Sequence, residues 1–140
     1  MIFTSHSPKE TQKIAVDLAH KILKTKKGVI IALEGELGAG KTVFVKGFAK
    51  ALGIKSKIKS PTFVLMKKHV FAGRNLYHLD CYRVGDHKDL KIPELKEIFS
   101  ESHNIILIEW AERVKKILPK KHITVHLDHI SENERKISIK

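Results

Sequence analysis

Gly35-Glu36-Leu37-Gly38-Ala39-Gly40-Lys41-Thr42 is the stretch of this sequence that carries the most chemistry. Two glycines five residues apart, the second followed by lysine and a hydroxyl residue, give the G-x-x-x-x-G-K-[ST] spacing of a phosphate-binding loop. The glycines let the backbone curl so that successive N–H groups point inward, where a side chain would block a phosphate oxygen. A helix starting at the end of the loop adds free N–H groups and the positive end of its dipole. Lys41 would reach the β- and γ-phosphates, and the Thr42 hydroxyl would bind Mg²⁺. The flanks agree. Val29-Ile30-Ile31-Ala32-Leu33 reads as a buried strand, and Thr42 to Leu52 reads as a helix closed by Gly53.

Phosphate binding becomes catalysis only with a carboxylate that holds Mg²⁺ or orients water. Two predicted strand ends offer one. Ile105-Ile106-Leu107-Ile108 runs into Glu109, four apolar residues ending in an acid, the Walker B pattern. Asn75-Leu76-Tyr77-His78-Leu79-Asp80 is the second, weaker candidate. Strands often end in Asp or Glu, so either alone says little. Beside a phosphate loop one of them is expected to serve the metal, and Glu109 is preferred. Ser60-Pro61-Thr62 lies between the loop helix and the next strand, the place of a nucleotide-sensing switch. There the Thr62 hydroxyl could reach Mg²⁺ or the γ-phosphate. An ordinary turn before a strand is the competing reading.

The elements that must position these residues follow from pattern. Ser7-Pro8-Lys9-Glu10 is a helix start, with Ser7 as cap, Pro8 in the first turn and Glu10 completing a capping box. Ile14, Leu18, Ile22 and Leu23 mark its apolar face, and Lys26-Lys27-Gly28 is the expected end. Thr62 to Val70 and Asn75 to Asp80 read as strands joined through Ala72-Gly73, a hairpin. The segment from Cys81 to Leu90 reads as irregular. Pro93 to Ser102 has a helical pattern, and Ala111 to Leu118 reads as a short helix ended by Pro119. Ile123 to Leu127 and Lys136 to Ile139 alternate as a terminal hairpin. The whole reads as one α/β domain over residues 1–140, a central sheet with antiparallel additions flanked by helices. Ligands of such sheets sit beyond the carboxyl ends of the strands. The loop, Asp80 and Glu109 all fall at that edge.

Composition narrows the class. The apolar and charged fractions are those of a soluble globular protein, and the longest apolar run is too short to span a bilayer. No signal-peptide pattern opens the chain, and a lone cysteine, Cys81, cannot form an internal disulfide, so a cytoplasmic protein is expected. The net charge of +12 comes mostly from scattered lysines. It attracts polyanions such as RNA, or it reflects solvated lysine-rich faces. Nine histidines invite a metal, but there is no His-Glu-x-x-His, and one cysteine cannot build a zinc site.

Four blocks in order and at suitable spacing resemble the TsaE (YjeE) family of small bacterial ATPases. They are Gly35 to Thr42, Ser60-Pro61-Thr62-Phe63, His78-Leu79-Asp80-Cys81-Tyr82-Arg83 and Ile108-Glu109-Trp110-Ala111-Glu112. The resemblance covers about residues 8–140 and is far more specific than the loop alone. It implies a P-loop NTPase fold that binds ATP and Mg²⁺. It also implies a role with TsaD and TsaB in installing the threonylcarbamoyl group on the adenosine next to the tRNA anticodon. The ATPase would be weak alone and would cycle or regulate the TsaB–TsaD complex; tRNA contact would be indirect or weak. By the same resemblance Leu37, Gly38, Ala39, Gly40, Lys41 and Thr42 hold phosphates, and Thr42 and Glu109 hold Mg²⁺. Asp80 is a catalytic or neighbouring carboxylate, Thr62 is switch-like, Trp110 shapes the site, and Thr11 lies near the base. Two residues depart from the family pattern. Glu36 stands where many relatives carry Asp, with its side chain expected off the phosphates. Cys81 replaces an aliphatic residue and reads as a small strand-end hydrophobe.

Arginines are few, and Arg83 is the candidate for a positive group on the γ-phosphate in cis, unless a partner supplies one. Slow hydrolysis by the isolated protein is therefore expected. A small-molecule or nucleotide kinase is the main rival, but it needs an arginine-bearing lid that the short, arginine-poor segment after Glu109 does not offer. A charge-driven RNA-binding module is the second rival.

Overall fold

The computed structural model describes residues 1–36, 38–54, 66–81 and 92–140. Its elements are β1 (Ile2–Ser5), α1 (Pro8–Leu23), β2 (Val29–Glu34), α2 (Lys41–Ala51), β3 (Met66–Phe71), β4 (Arg74–Asp80), α3 (Ile92–Ser100), β5 (Ile105–Glu109), a 3₁₀ turn (Ala111–Val114), β6 (Ile123–His129) and β7 (Arg135–Ile139). The strands form one sheet in the order β1-β7-β6-β2-β5-β4-β3. The central strands β6, β2, β5 and β4 run parallel. β7, β1 and β3 add antiparallel at the flanks.

This layout explains the apolar runs. β2 and β5 are covered on both faces, so they read as continuous Val/Ile/Leu rather than as alternation. Ile31, Leu33, Ile105, Leu107, Leu76 and Val125 face the layer made by Ala15 and Ala19 of α1 and Phe44, Phe48 and Ala49 of α2. Ile30, Ala32, Ile106, Ile108, Tyr77 and Leu79 pack on the other face, against Leu95 of α3 and Ala111 and Val114 of the 3₁₀ turn. The two helices on the loop side lie very close. A Cβ on Gly47 of α2 would stand 2.8 Å from both Cα and the carbonyl oxygen of Gln12 in α1.

Local chemistry sets the boundaries. The Ser7 side chain accepts from the Glu10 N–H at 3.1 Å, the expected cap. The Glu10 carboxylate reaches back to the N–H of His6 at 2.6 Å, one residue earlier than a capping box requires. α1 ends at Leu23, short of Lys26-Lys27-Gly28. Gly28 serves another purpose: a Cβ there would lie 2.5 Å from the Asn104 carbonyl, where β2 starts beside β5. The β3–β4 hairpin turns at Ala72 and Gly73 with φ of 45° and 75°, the two positive values of a tight hairpin turn. β3 begins at Met66; residues 62–65 of the expected strand, and the expected irregular segment from 82 to 90, lie outside the described residues. Two expectations need correction. Ala111 to Leu118 is a single 3₁₀ turn followed by turns, not an α-helix. Its run is too short to propagate once Trp110 has entered the left-handed region. β1 was not expected at all, because its four residues have no turn signal and gain their partner only from β7, at the far end of the chain. Among the described residues no helix is long and apolar enough to cross a membrane.

Candidate functional site

β2 delivers the chain to the loop at Gly35. With φ of 142° and a Cβ position 2.4 Å from the Leu127 carbonyl, only glycine fits there. Gly38 and Gly40 also hold positive φ, 80° and 98°, and a Cβ on Gly38 would meet nothing within 4 Å. The loop is thus curled, with open space over Gly38. Gly40 is the left-handed N-cap of α2, which begins at Lys41 with no side-chain cap. Its first-turn N–H groups and dipole are aimed along the loop. Glu36 is exposed, consistent with a side chain off the loop interior.

Lys41 is 6% exposed. Its Nζ donates to the Gly35 carbonyl and lies 3.5 Å from the centroid of the Trp110 ring. The Arg113 guanidinium stands 5.6 Å from the same ring. Burial pulls the Lys41 ammonium below the ordinary lysine value, and the carboxylates of Glu112, Glu109 and Asp80, in that order, act against it. Three acids therefore act electrostatically on one buried cation.

Strand register explains the placement of two of these acids. Asp80 and Glu109 are partners on adjacent parallel strands, and Glu109 is also opposite Leu33, just before the loop. By alternation both acids share the face of Leu76, Leu107 and Leu33, the face that α2 covers. The structure brings together Gly38, Ala39, Gly40, Lys41, Asp80 and Glu109 from the sequence reading. Thr11 joins them from the side. It is 2% exposed, its Oγ1 is 2.7 Å from Ser5 Oγ, and it lines a cavity of about 150 Å³ with Ser7, Pro8, Gly40, Val43 and Arg135. Leu37, Thr62 and Arg83 lie outside the described residues. A larger cavity, about 480 Å³, opens at the opposite ends of the strands beside Gly28, Asn104 and His122, away from this chemistry.

Two participants were not singled out from sequence. Glu112 stands first among the carboxylates acting on Lys41, and its spacing of three from Glu109 was the available signal. His78 is buried with Nε2 2.5 Å from Glu109 Oε2. Its spacing of two from Asp80, on one strand face, was the signal. Cys81 is fully buried, and burial pushes its thiol up to about 12.

The donor set can be weighed against a metal-bound nucleotide. Among the described residues no three His, Cys, Asp or Glu side chains converge as a metal site of their own. Mg²⁺ commonly takes one or two carboxylates together with substrate phosphates. A strand-end acid pair beside an uncapped, glycine-curled helix start fits that requirement, and Lys41 supplies the matching positive charge.

A parallel-centred sheet, a glycine loop joining β2 to α2, and acids ending the neighbouring strands define a P-loop NTPase fold. The crystal structure of Bacillus subtilis YdiB shares it, with a TM-score of 0.81 and 33% sequence identity, over 99% of this chain and 83% of that one. The family model described as threonylcarbamoyl adenosine biosynthesis protein TsaE matches residues 5–137, and the chain belongs to the TsaE family. Proteins named tRNA threonylcarbamoyladenosine biosynthesis protein TsaE are similar along most of their length. That of Bacillus subtilis is 37% identical over 133 residues, 94% of this chain and 80% of its own. That of Aquifex aeolicus is 37% identical over 135 residues, 95% and 90% of the two chains.

Proposed function

We propose that this protein is a Mg²⁺-dependent ATPase of tRNA threonylcarbamoyladenosine biosynthesis, acting in the cytoplasm on a TsaB–TsaD complex as a cycling or regulatory factor. One observation carries the reading: Lys41 is buried at the start of α2, its ammonium held by the Gly35 carbonyl and the Trp110 ring among three carboxylates. A buried ammonium with that surround is poised to exchange the loop carbonyl for phosphate oxygens. Gly38, Ala39 and Gly40 offer backbone N–H groups to the phosphates, as Leu37 would by sequence. Thr42 and Glu109 hold the metal, Asp80 orients water or holds the metal's shell, and Thr62 senses the γ-phosphate. Thr11 borders the nucleoside end. Mg²⁺, when bound, neutralises phosphate charge. The assembly supplies binding and positioning, and the positive group on the γ-phosphate is left to Arg83 or to a partner, so turnover by the isolated protein is expected to be slow.

The test is ATP hydrolysis with purified TsaB–TsaD present and absent, for wild type and Thr42→Ala. We expect a low basal rate that the partners raise and that Thr42→Ala abolishes. Equal rates in all samples would leave a nucleotide site without a cycle, and transfer of phosphate to a metabolite would replace the reading with a kinase.

A further inference from the structure

We propose that His78 is the positioning residue for Glu109, fixing the carboxylate in the orientation that receives the metal. The inference rests on the reading of Glu109 as the Mg²⁺ ligand. His78 lies on β4, opposite Leu107 of β5 and two residues before Asp80. It shares a sheet face with Glu109 and meets it diagonally across the strands. Nε2 of His78 stands 2.5 Å from Oε2 of Glu109, and both side chains are nearly inaccessible, 1% and 4% exposed. A carboxylate that serves a metal only accepts, so the proposal places the proton of this bond on Nε2. Bonds of this kind to a charged acceptor are short and strong.

The other ring nitrogen argues for a dedicated role. Nδ1 of His78 is buried and makes no hydrogen bond among the described residues. A histidine kept only to tie the fold together would use both nitrogens, since an unpaired buried polar atom costs stability. Among the described residues the ring's hydrogen bond is to Glu109. Glu109 needs such a partner: Asp80 is its strand neighbour, and Glu112 acts on the same ammonium. Like charges repel, and Glu109, at 3% exposed the most buried of the three, has His78 against its carboxylate. With Oε2 engaged, Oε1 is the oxygen left for the metal. Metal-bound side chains are commonly oriented by outer partners in this way, and losing one weakens metal affinity about 10–100-fold.

Mn²⁺ binding followed by EPR, in the presence of ADP, tests this with His78→Leu, His78→Gln and Glu109→Gln, each also titrated with ADP in EDTA. Glutamine places an N–H near the position of Nε2; leucine does not. We expect His78→Leu to lose roughly 10–100-fold in Mn²⁺ affinity, with metal-free ADP affinity unchanged and with His78→Gln recovering most of the loss. Wild-type Mn²⁺ affinity in His78→Leu, or equal losses in the leucine and glutamine variants, overturns the proposal. Glu109→Gln separates the two levels: unchanged Mn²⁺ affinity there removes Glu109 as ligand and sinks the underlying reading, while a loss there with none in His78→Leu sinks only the positioning role. If His78→Leu does not fold, ¹⁵N-histidine NMR of the wild type decides. An Nε2–H tautomer whose signals move when Mg²⁺ is added to the ADP complex supports the proposal, and an Nδ1–H tautomer overturns it.

Discussion

At the scale of single residues, Lys41 and Trp110 hold each other in costly states. Trp110 has φ of 58°, a left-handed backbone that costs a non-glycine residue about 1–2 kcal/mol. Its ring meets a desolvated ammonium, a contact worth about 2 kcal/mol. Lys41→Met should weaken nucleotide binding roughly 10- to 100-fold, the loss of one or two charge-assisted hydrogen bonds, measured by nucleotide titration. It should also change the pH profile of stability. Burial lowers the Lys41 pKa in the folded chain below 10.5, so the folded protein releases this proton first. Between the lowered value and 10.5 the unfolded chain binds more protons, and stability from this group rises with pH. Wild type should therefore gain on Lys41→Met in Tm as pH climbs toward 10.5, and a gap that does not change with pH would contradict the assignment.

At the scale of elements, the contact of α1 with α2 sets where the loop helix lies. Gly47 sits inside α2, where alanine would ordinarily add up to about 1 kcal/mol of helix stability. Here the added Cβ would meet Gln12 backbone atoms at 2.8 Å, and forcing extra volume into such a contact costs about 1–3 kcal/mol. Gly47→Ala should thus destabilise the protein by about 1–2 kcal/mol, read as a lower denaturant midpoint. Because α2 carries Lys41 and Thr42 on its first turn, nucleotide affinity should fall with it. A stabilised variant would show that the helices separate freely. Strand alternation works at the same scale: it puts His78, Asp80 and Glu109 on the face beneath α2 and leaves Tyr77 and Ile108 to the opposite core.

At the scale of the whole molecule, a net charge of +12 attracts nucleic acid regardless of the site. Contacts of that origin release counterions and weaken steeply with salt. We expect any tRNA retained by the isolated protein to be lost as salt rises and to be indifferent to Mg-ATP, measured by filter binding. On the proposed function, nucleotide-dependent association is expected instead with protein partners. Retention of tRNA that requires ATP would transfer the switch from a protein interface to RNA.

Local pattern determined much of this protein. The loop, its flanking strand and helix, the Ser7 cap, the two hairpins and the strand-end acids were legible because each is encoded within one short contiguous stretch. So was the resemblance that named the family. Tertiary structure alone decided the rest. β1 exists because β7 comes back to meet it. Asp80 and Glu109 fall side by side in strand register, and Glu112 acts with them on Lys41. The His78–Glu109 bond spans 31 residues and depends on the register of two parallel strands. A one-residue slip would move His78 to the other face, and nothing in the composition of either strand fixes that register. Sequence supplied the groups and their local geometry; only the pairing of distant strands could bring them onto one face around one lysine.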